Sequence, residues 1–105
     1  MELSANELTK WVKQYAKKQN WRITRMNNIP VQRRKGTVEK GWPDLIGYTD
    51  KGKFIAIEVK KIGDKLSIYQ MERLDDVINC GGYAYICTEE DEQPLLVQWG
   101  ETKFY

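Results

Sequence analysis

Asp44, Glu58 and Lys60 are charged residues in two strand-like apolar runs, inside the stretch GWPDLIGYTDKGKFIAIEVKK at 41–61. Side chains alternate across a strand, so Ile55, Ile57 and Val59 share one face and Ala56, Glu58 and Lys60 the other. The first face reads as core. The second, with two charges in three positions, reads as a working or partly solvated face. If the two runs form a hairpin in which Thr49 opposes Lys53, Asp44 lies directly opposite Glu58. Cross-strand Cβ atoms are then about 4.5–5.5 Å apart. Two carboxylates that close repel unless a cation lies between them or one is protonated. A slip of one residue would set Asp44 against Val59 and put its charge on the core face, so the patterning favours the first register. An oxygen-only pair suits Mg²⁺, with Mn²⁺ able to substitute, and does not suit zinc. A lysine two residues along supplies a fixed positive charge. Together these are the parts that metal-assisted phosphodiester hydrolysis needs. The bland alternative is a pair of surface ion pairs, Asp44–Lys60 and Glu58–Lys61, each worth little.

Composition narrows the chemistry. The 105-residue chain has no histidine, which removes the usual zinc ligand sets and every Ser-His or Cys-His nucleophile. Cys80 and Cys87 read as buried reduced thiols. The length fits a single domain over 1–105, and 41% hydrophobic with 30% charged residues describes a globular chain. No apolar run is long enough to span a bilayer, and the N-terminus lacks the pattern of a signal peptide. The expectation is an intracellular, cytoplasmic protein. The net charge of +2 conceals a split: residues 1–65 carry 15 Lys/Arg against 7 Asp/Glu, and residues 66–105 carry 2 against 8. One basic and one acidic face would follow, or two ordinary surfaces whose halves interleave in space.

The elements that must position these residues are legible from periodicity. Leu8, Trp11, Val12 and Tyr15 make one helical stripe over 5–19, with Ser4 and Glu7 spaced as a capping box and Asn20 at the close. WRITRM at 21–26 alternates as a strand. Residues 27–42 read as loop with a short extended piece near 31–34, and carry the cluster Arg33, Arg34, Lys35. The hairpin turns at Lys51-Gly52. A second helix, 67–80, starts at Ser67, shows the stripe Ile68, Met71, Leu74, Val77, Ile78, and stops at Gly81-Gly82. YAYICT at 83–88 and LLVQW at 95–99 are strands around an exposed turn, EEDEQP. The order is that of a mixed central sheet flanked by helices, α/β or α+β.

Pro43-Asp44 followed by Glu58-Val59-Lys60 resembles the PD-(D/E)XK nuclease motif. The fuller set is similar to the virus-type replication-repair nuclease (VRR-NUC) domain: Gly41-Trp42-Pro43-Asp44-Leu45, Ile57-Glu58-Val59-Lys60, Leu66-Ser67 with Gln70, and Gly81-Gly82. The resemblance covers about residues 5–90 and implies a restriction-endonuclease-like fold and a metal-dependent nuclease. Asp44 and Glu58 would bind metal through side chains, the Val59 carbonyl would be a further ligand, and Lys60 would be the catalytic lysine. Glu7 matches the family's helical acid, and Gln70 would help arrange the site. Each also sits third after a serine, where it serves equally as a capping-box partner. Arg33, Arg34 and Lys35, with Lys61, are read as DNA phosphate contacts from charge and position.

The resemblance further implies DNA as partner. Small members resemble homodimeric, phage-type Holliday-junction resolvases, and a C2 pair of sites would match the two symmetric strands of a four-way junction. Trp99, Phe104 and Tyr105 would supply a seam or belong to the core. Other readings on the same scaffold are a flap nuclease, a restriction-like or RNA-cleaving enzyme, and a catalytically silent DNA-binding subunit.

Overall fold

A computed structural model describes residues 2–26 and 41–100. Seven elements follow in order: α1 (Ala5–Lys18), β1 (Arg22–Arg25), β2 (Leu45–Tyr48), β3 (Phe54–Val59), α2 (Ile68–Asn79), β4 (Tyr83–Glu90) and β5 (Gln93–Gln98). The strands form one sheet in sequence order, β1-β2-β3-β4-β5. Only β3 and β4 pair in parallel, and α2 is the crossover between them. The remaining pairings are antiparallel, so the class is α+β with a mixed sheet.

Both helices end for the reasons their sequences give. The Ser4 hydroxyl accepts from the Glu7 N–H while the Glu7 carboxylate accepts from the Ser4 N–H, and Ser67 with Gln70 repeats the arrangement on α2. At the other end of α1, Asn20 takes a left-handed φ of 63°. Asn20 and Trp21 then donate to the Lys17 and Ala16 carbonyls. Gly81 and Gly82 do the same for Ile78 and Val77 at the end of α2. Two Schellman closures therefore turn both helices back towards the sheet.

The β2–β3 hairpin has the predicted register. Leu45 pairs with Ile57 and Tyr48 with Phe54, and the Thr49 N–H donates to the Lys53 carbonyl. Asp44 thus lies opposite Glu58. The Thr49 hydroxyl accepts from the Lys51 and Lys53 N–H groups, and Gly52 supplies the positive φ that the turn requires.

Strand β3 is buried on both faces. Leu8 and Val12 of α1 pack on Ile55, Ile57 and Val59. Leu74 and Val77 of α2 pack with Ala56, Ala84, Ile86 and Trp99 in a second core. The expectation of a partly solvated Glu58 face is corrected here: α2 covers it, and Glu58 is 0% exposed. Three further expectations change. Ile68 and Ile78 belong to the apolar stripe in sequence, yet Ile68 is 62% exposed and only Leu74 and Val77 of α2 are buried. The exposed turn at 89–94 shrinks to Asp91-Glu92, both at positive φ, because the ladder continues through Glu89↔Pro94 and Glu90↔Gln93. Of the two thiols, Cys87 is buried and Cys80, at the end of α2, is exposed. Trp99 is core, with its indole N–H donating to Asp75 at 2.7 Å, while Phe104 and Tyr105 lie outside the described residues.

The split within the α2 stripe has a measurable consequence. Leu74→Ala should cost about 2–5 kcal/mol, as expected for a fully buried leucine. Ile68→Ala should stay within about 0.5 kcal/mol of wild type. Urea denaturation of both variants checks this, and similar losses at the two positions would contradict the packing described.

Candidate active site

The end of the hairpin brings the chemistry together. Asp44 directly precedes β2, and its Oδ2 accepts from the Val59 N–H at 2.8 Å. The carboxylate thus supplies the acceptor for the Val59 N–H, while the Asp44 carbonyl continues the β1–β2 ladder by accepting from the Met26 N–H. Within a strand, a residue's N–H and C=O point to the same side. The Val59 carbonyl accordingly faces the Asp44 side as well.

The GWPD lead-in is anchored on α2. A Cβ on Gly41 would meet the Tyr69 carbonyl oxygen at 2.4 Å, and its φ is +88°. The Arg73 guanidinium lies over the Trp42 ring at 4.7 Å, and Pro43 is fully buried. Glycine at 41 is thus a condition of close approach, and it sets where Asp44 starts.

Glu58 points to the α2 side. Its Oε1 is 3.5 Å from the Gln70 Nε2, while Oε2 is buried and has no hydrogen-bond partner. Burial pushes the Glu58 carboxyl up to about 8; the Asp44 charge adds to the shift and Lys60 opposes it. Lys60, two residues on, donates through Nζ to the Gln70 Oε1 at 3.2 Å and to the Lys65 carbonyl at 3.4 Å. The same Gln70 oxygen accepts from the Ser67 N–H at 2.8 Å. Gln70 is therefore a cap residue and also the bridge between Glu58 and Lys60.

Glu7 is placed differently. It lies on α1, which covers the opposite face of β3 from Glu58, and its carboxylate accepts from the Ser4 N–H at 2.9 Å. Hydrogen bonds from the Ser4 backbone and side chain hold its pKa below the ordinary value. Among the described residues, no three His, Cys, Asp or Glu side chains gather in a metal-binding group. Glu7 does not join the pair. Lys61 is exposed beside the site, and Arg33, Arg34 and Lys35 lie outside the described residues.

Asp44, Val59 and Lys60 line a cavity of about 300 Å³ together with Leu45, Ala5, Thr9 and Arg25. Sequence reasoning missed Arg25. Its signal was available: Arg25 alternates with Ile23, which packs on the α1 core, so it falls on the α1 side where β1 ends beside Leu45. What lacked a signal was the position of the first turn of α1 over that end.

The residues present fit a hard divalent cation. The donors are oxygens, one of them is buried without a partner, and the Asp44 charge beside Glu58 helps hold the Glu58 carboxyl in its protonated form, which a cation between them would reverse. Fold and carboxylate pair together define a PD-(D/E)XK-type nuclease core. A family model described as the VRR-NUC domain matches residues 3–91, and the chain belongs to that family. Nucleases of this type generally use a divalent metal. Among solved structures, that of Archaeoglobus fulgidus Hjc, described as a Holliday junction resolvase from an archaeal hyperthermophile, is similar in fold. The match has a TM-score of 0.54 at 17% identity and covers 90% of this chain and 88% of that one. A search of curated proteins finds no match.

The burial of Glu58 predicts an unusual pH dependence in metal-free buffer. Its pKa in the fold, about 8, is above the ordinary 4.5, so the fold favours the protonated form. The associated stability is fully present below pH 4.5 and is lost as pH rises through 8, a change on the order of a few kcal/mol. Glu58→Gln should remove this slope and be the more stable protein at pH 9. Equal slopes in wild type and variant, from urea melts across pH, would rule out a carboxyl buried in this way.

Proposed function

We propose that the chain is a Mg²⁺-dependent DNA endonuclease that hydrolyses phosphodiester bonds in branched DNA, in the manner of a Holliday-junction resolvase, and works as a homodimer in replication, repair or recombination. The observation that carries the reading is Glu58 itself. A fully buried carboxyl with an unpartnered oxygen, opposite a second carboxylate, is a costly arrangement that packing does not require. Family membership and the resolvase fold are in keeping with it.

In this reading Asp44, Glu58 and the Val59 carbonyl hold the metal, with Mn²⁺ able to substitute. A bound divalent cation supplies polarisation of the phosphate and a water of lowered pKa. The chain's own residues do the rest. Lys60, held by Gln70 and the Lys65 carbonyl, sets a positive charge beside the carboxylates where charge develops on the phosphate. Gln70 fixes Glu58 and Lys60 relative to each other. The first turn of α2, whose N–H groups and dipole end carry partial positive charge, lies at the same place and favours a phosphate. Arg25 extends the positive lining on the α1 side. Glu7 retains its capping role and acts on the site only through the position of α1. Arg33, Arg34, Lys35 and Lys61 contact DNA phosphates. A C2 dimer would present two such sites to the two equivalent strands of a four-way junction.

Asp44→Asn and Glu58→Gln should each abolish cleavage while leaving the fold intact, and EDTA should do the same to wild type. Lys60→Ala should reduce single-turnover cleavage by about 10²–10³-fold. Its Mn²⁺ affinity should stay unchanged, because lysine is not a ligand here. A junction gel with linear duplex of the same sequence as control checks substrate choice, and sedimentation checks the dimer. Near-wild-type cutting by either carboxylate variant would show the metal site to be misassigned.

Neutralising Arg33, Arg34 and Lys35 together should weaken DNA binding without sequence preference. The slope of log K against log salt should flatten by about one unit per lost contact. An unchanged salt series would place the trio away from DNA.

A further inference from the structure

On the face of the sheet that carries Glu58, alternation defines three rows across the strands. Asp44 and Glu58 form the row at one end, and Thr24, Ile46 and Ala56 form the next. The third row is Arg22, Tyr48 and Phe54, directly paired across β1, β2 and β3. Helix α2 covers the Ala56–Glu58 side of this face, with Leu74 and Val77 in a core shared with Ala56, Ala84 and Ile86. The described residues leave the third row open. Tyr48 is 55% exposed and Phe54 37%. With Arg22, Thr24, Ile46 and Gly52 they line a shallow recess of about 420 Å³.

The other aromatic rings of the described residues are largely engaged with one another. Trp11, Tyr15, Trp21, Tyr85 and Tyr83 form a continuous series of ring contacts, centroids 5.4–6.3 Å apart, on the α1 side. Tyr48 and Phe54 stand instead on neighbouring strands of an open face, with an arginine in the same row. Arg22 stands in the same row, and Lys51 and Asp50 lie in the adjoining turn; all three are exposed, while alternation turns Lys53 to the α1 face. The row lies four residues along β3 from Glu58, about 13 Å at strand rise. That span is about four nucleotides of a stacked strand at 3.4 Å each, and fewer of an extended one.

We infer that the Arg22–Tyr48–Phe54 row is a stacking platform for unpaired nucleobases of the DNA strand that leaves the carboxylate site. The inference rests on the nuclease reading and narrows it: base pairs open at the branch point of the bound DNA, and the nucleotides so freed lie next to the scissile bond. Aromatic faces accept any base, so the platform confers preference for single-stranded character and none for sequence. Arg22, exposed in the same row, meets the phosphates of that strand. Continuity of the open β1–β2 part of this face, from Asp44 through Thr24 and Ile46 to the rings, with Arg22 in the same row, favours nucleic acid over a second copy of the chain as the occupant.

The experiment is a binding titration in EDTA, which needs no cleavage. The probe is a duplex with a five-nucleotide single-stranded arm carrying 2-aminopurine at its second unpaired position. Wild type should quench the 2-aminopurine emission on binding. Tyr48→Leu and Phe54→Leu keep apolar bulk but lose the π-face; each should lose the quench and bind about tenfold more weakly, with affinity for blunt duplex unchanged. Phe54→Tyr should retain both. Unchanged emission with wild type, or leucine variants that bind the arm as wild type does, would overturn the platform. So would leucine variants that lose binding only because a dimer becomes a monomer in sedimentation, since the face would then belong to a second copy. Mg²⁺-dependent cutting without any quench would sink the platform and leave the nuclease reading standing. A quench in a protein that cuts nothing would sink the nuclease reading and leave the platform.

Discussion

The hydrogen bond from the Val59 N–H to the Asp44 carboxylate, 2.8 Å long, ties the site to the fold. It exists only if the hairpin is in register, because Asp44 must lie opposite Glu58 for its side chain to reach the next backbone amide. The register is fixed at the far end by the Thr49–Lys53 turn, where one hydroxyl accepts two N–H groups. Along the hairpin it is fixed by the apolar pairs Leu45–Ile57 and Gly47–Ile55. A slip of one residue would turn Ile55, Ile57 and Val59 out of the α1 core and bury Lys60 in it. Active-site geometry and core packing are therefore one constraint, satisfied or lost together.

That constraint explains why a carboxyl can be buried at all. Glu58 sits on the central strand under α2, and its desolvation is opposed by Lys60, by the Asp44 backbone and by the long contact from Gln70. A leucine or glutamine at 58 would suit the second core better on packing grounds alone. Strand β3 is held on two faces and by two neighbours, so it can carry the cost without local rearrangement. The like-charge pair is placed where the backbone has least freedom to relieve it.

The elements were legible because periodicity and punctuation agree: the capping serines, Asn20, Gly81-Gly82 and the Lys51-Gly52 turn all fall where the structure places them. The register was legible because only one choice keeps charge off the α1 face. The burial of Glu58 was not, since alternation says which face a residue occupies and nothing about what lies over it. For the same reason Ile68 read as core: the stripe is helical, but the first turn of α2 extends past the sheet beside Lys60. Trp42 on Arg73 and Gly41 on Tyr69 join segments 28 to 31 positions apart, and no local pattern announces such pairs. Arg25 was hidden by its charge, which reads as strand-end solvation; it is exposed, but lines the cavity with Ala5 and Thr9 of α1.

Gln70 shows how little room the chain leaves between structure and chemistry. As a capping residue it needs its carbonyl oxygen on the Ser67 N–H. As a bridge it needs that oxygen on Lys60 and its amide nitrogen toward Glu58. An amide can do all three because its oxygen has two lone pairs and its nitrogen faces away from them. A glutamate at 70 would cap equally well, but it would bring a further carboxylate to a Glu58 that burial and Asp44 already disfavour as an anion. The choice between two equivalent capping residues is thus made by Glu58, across the gap between helix and strand. Helix α2 is fixed to the sheet at its start by site residues and along its length by Leu74 and Val77. Its N-terminal dipole consequently points at the carboxylates because the core requires the helix to lie there.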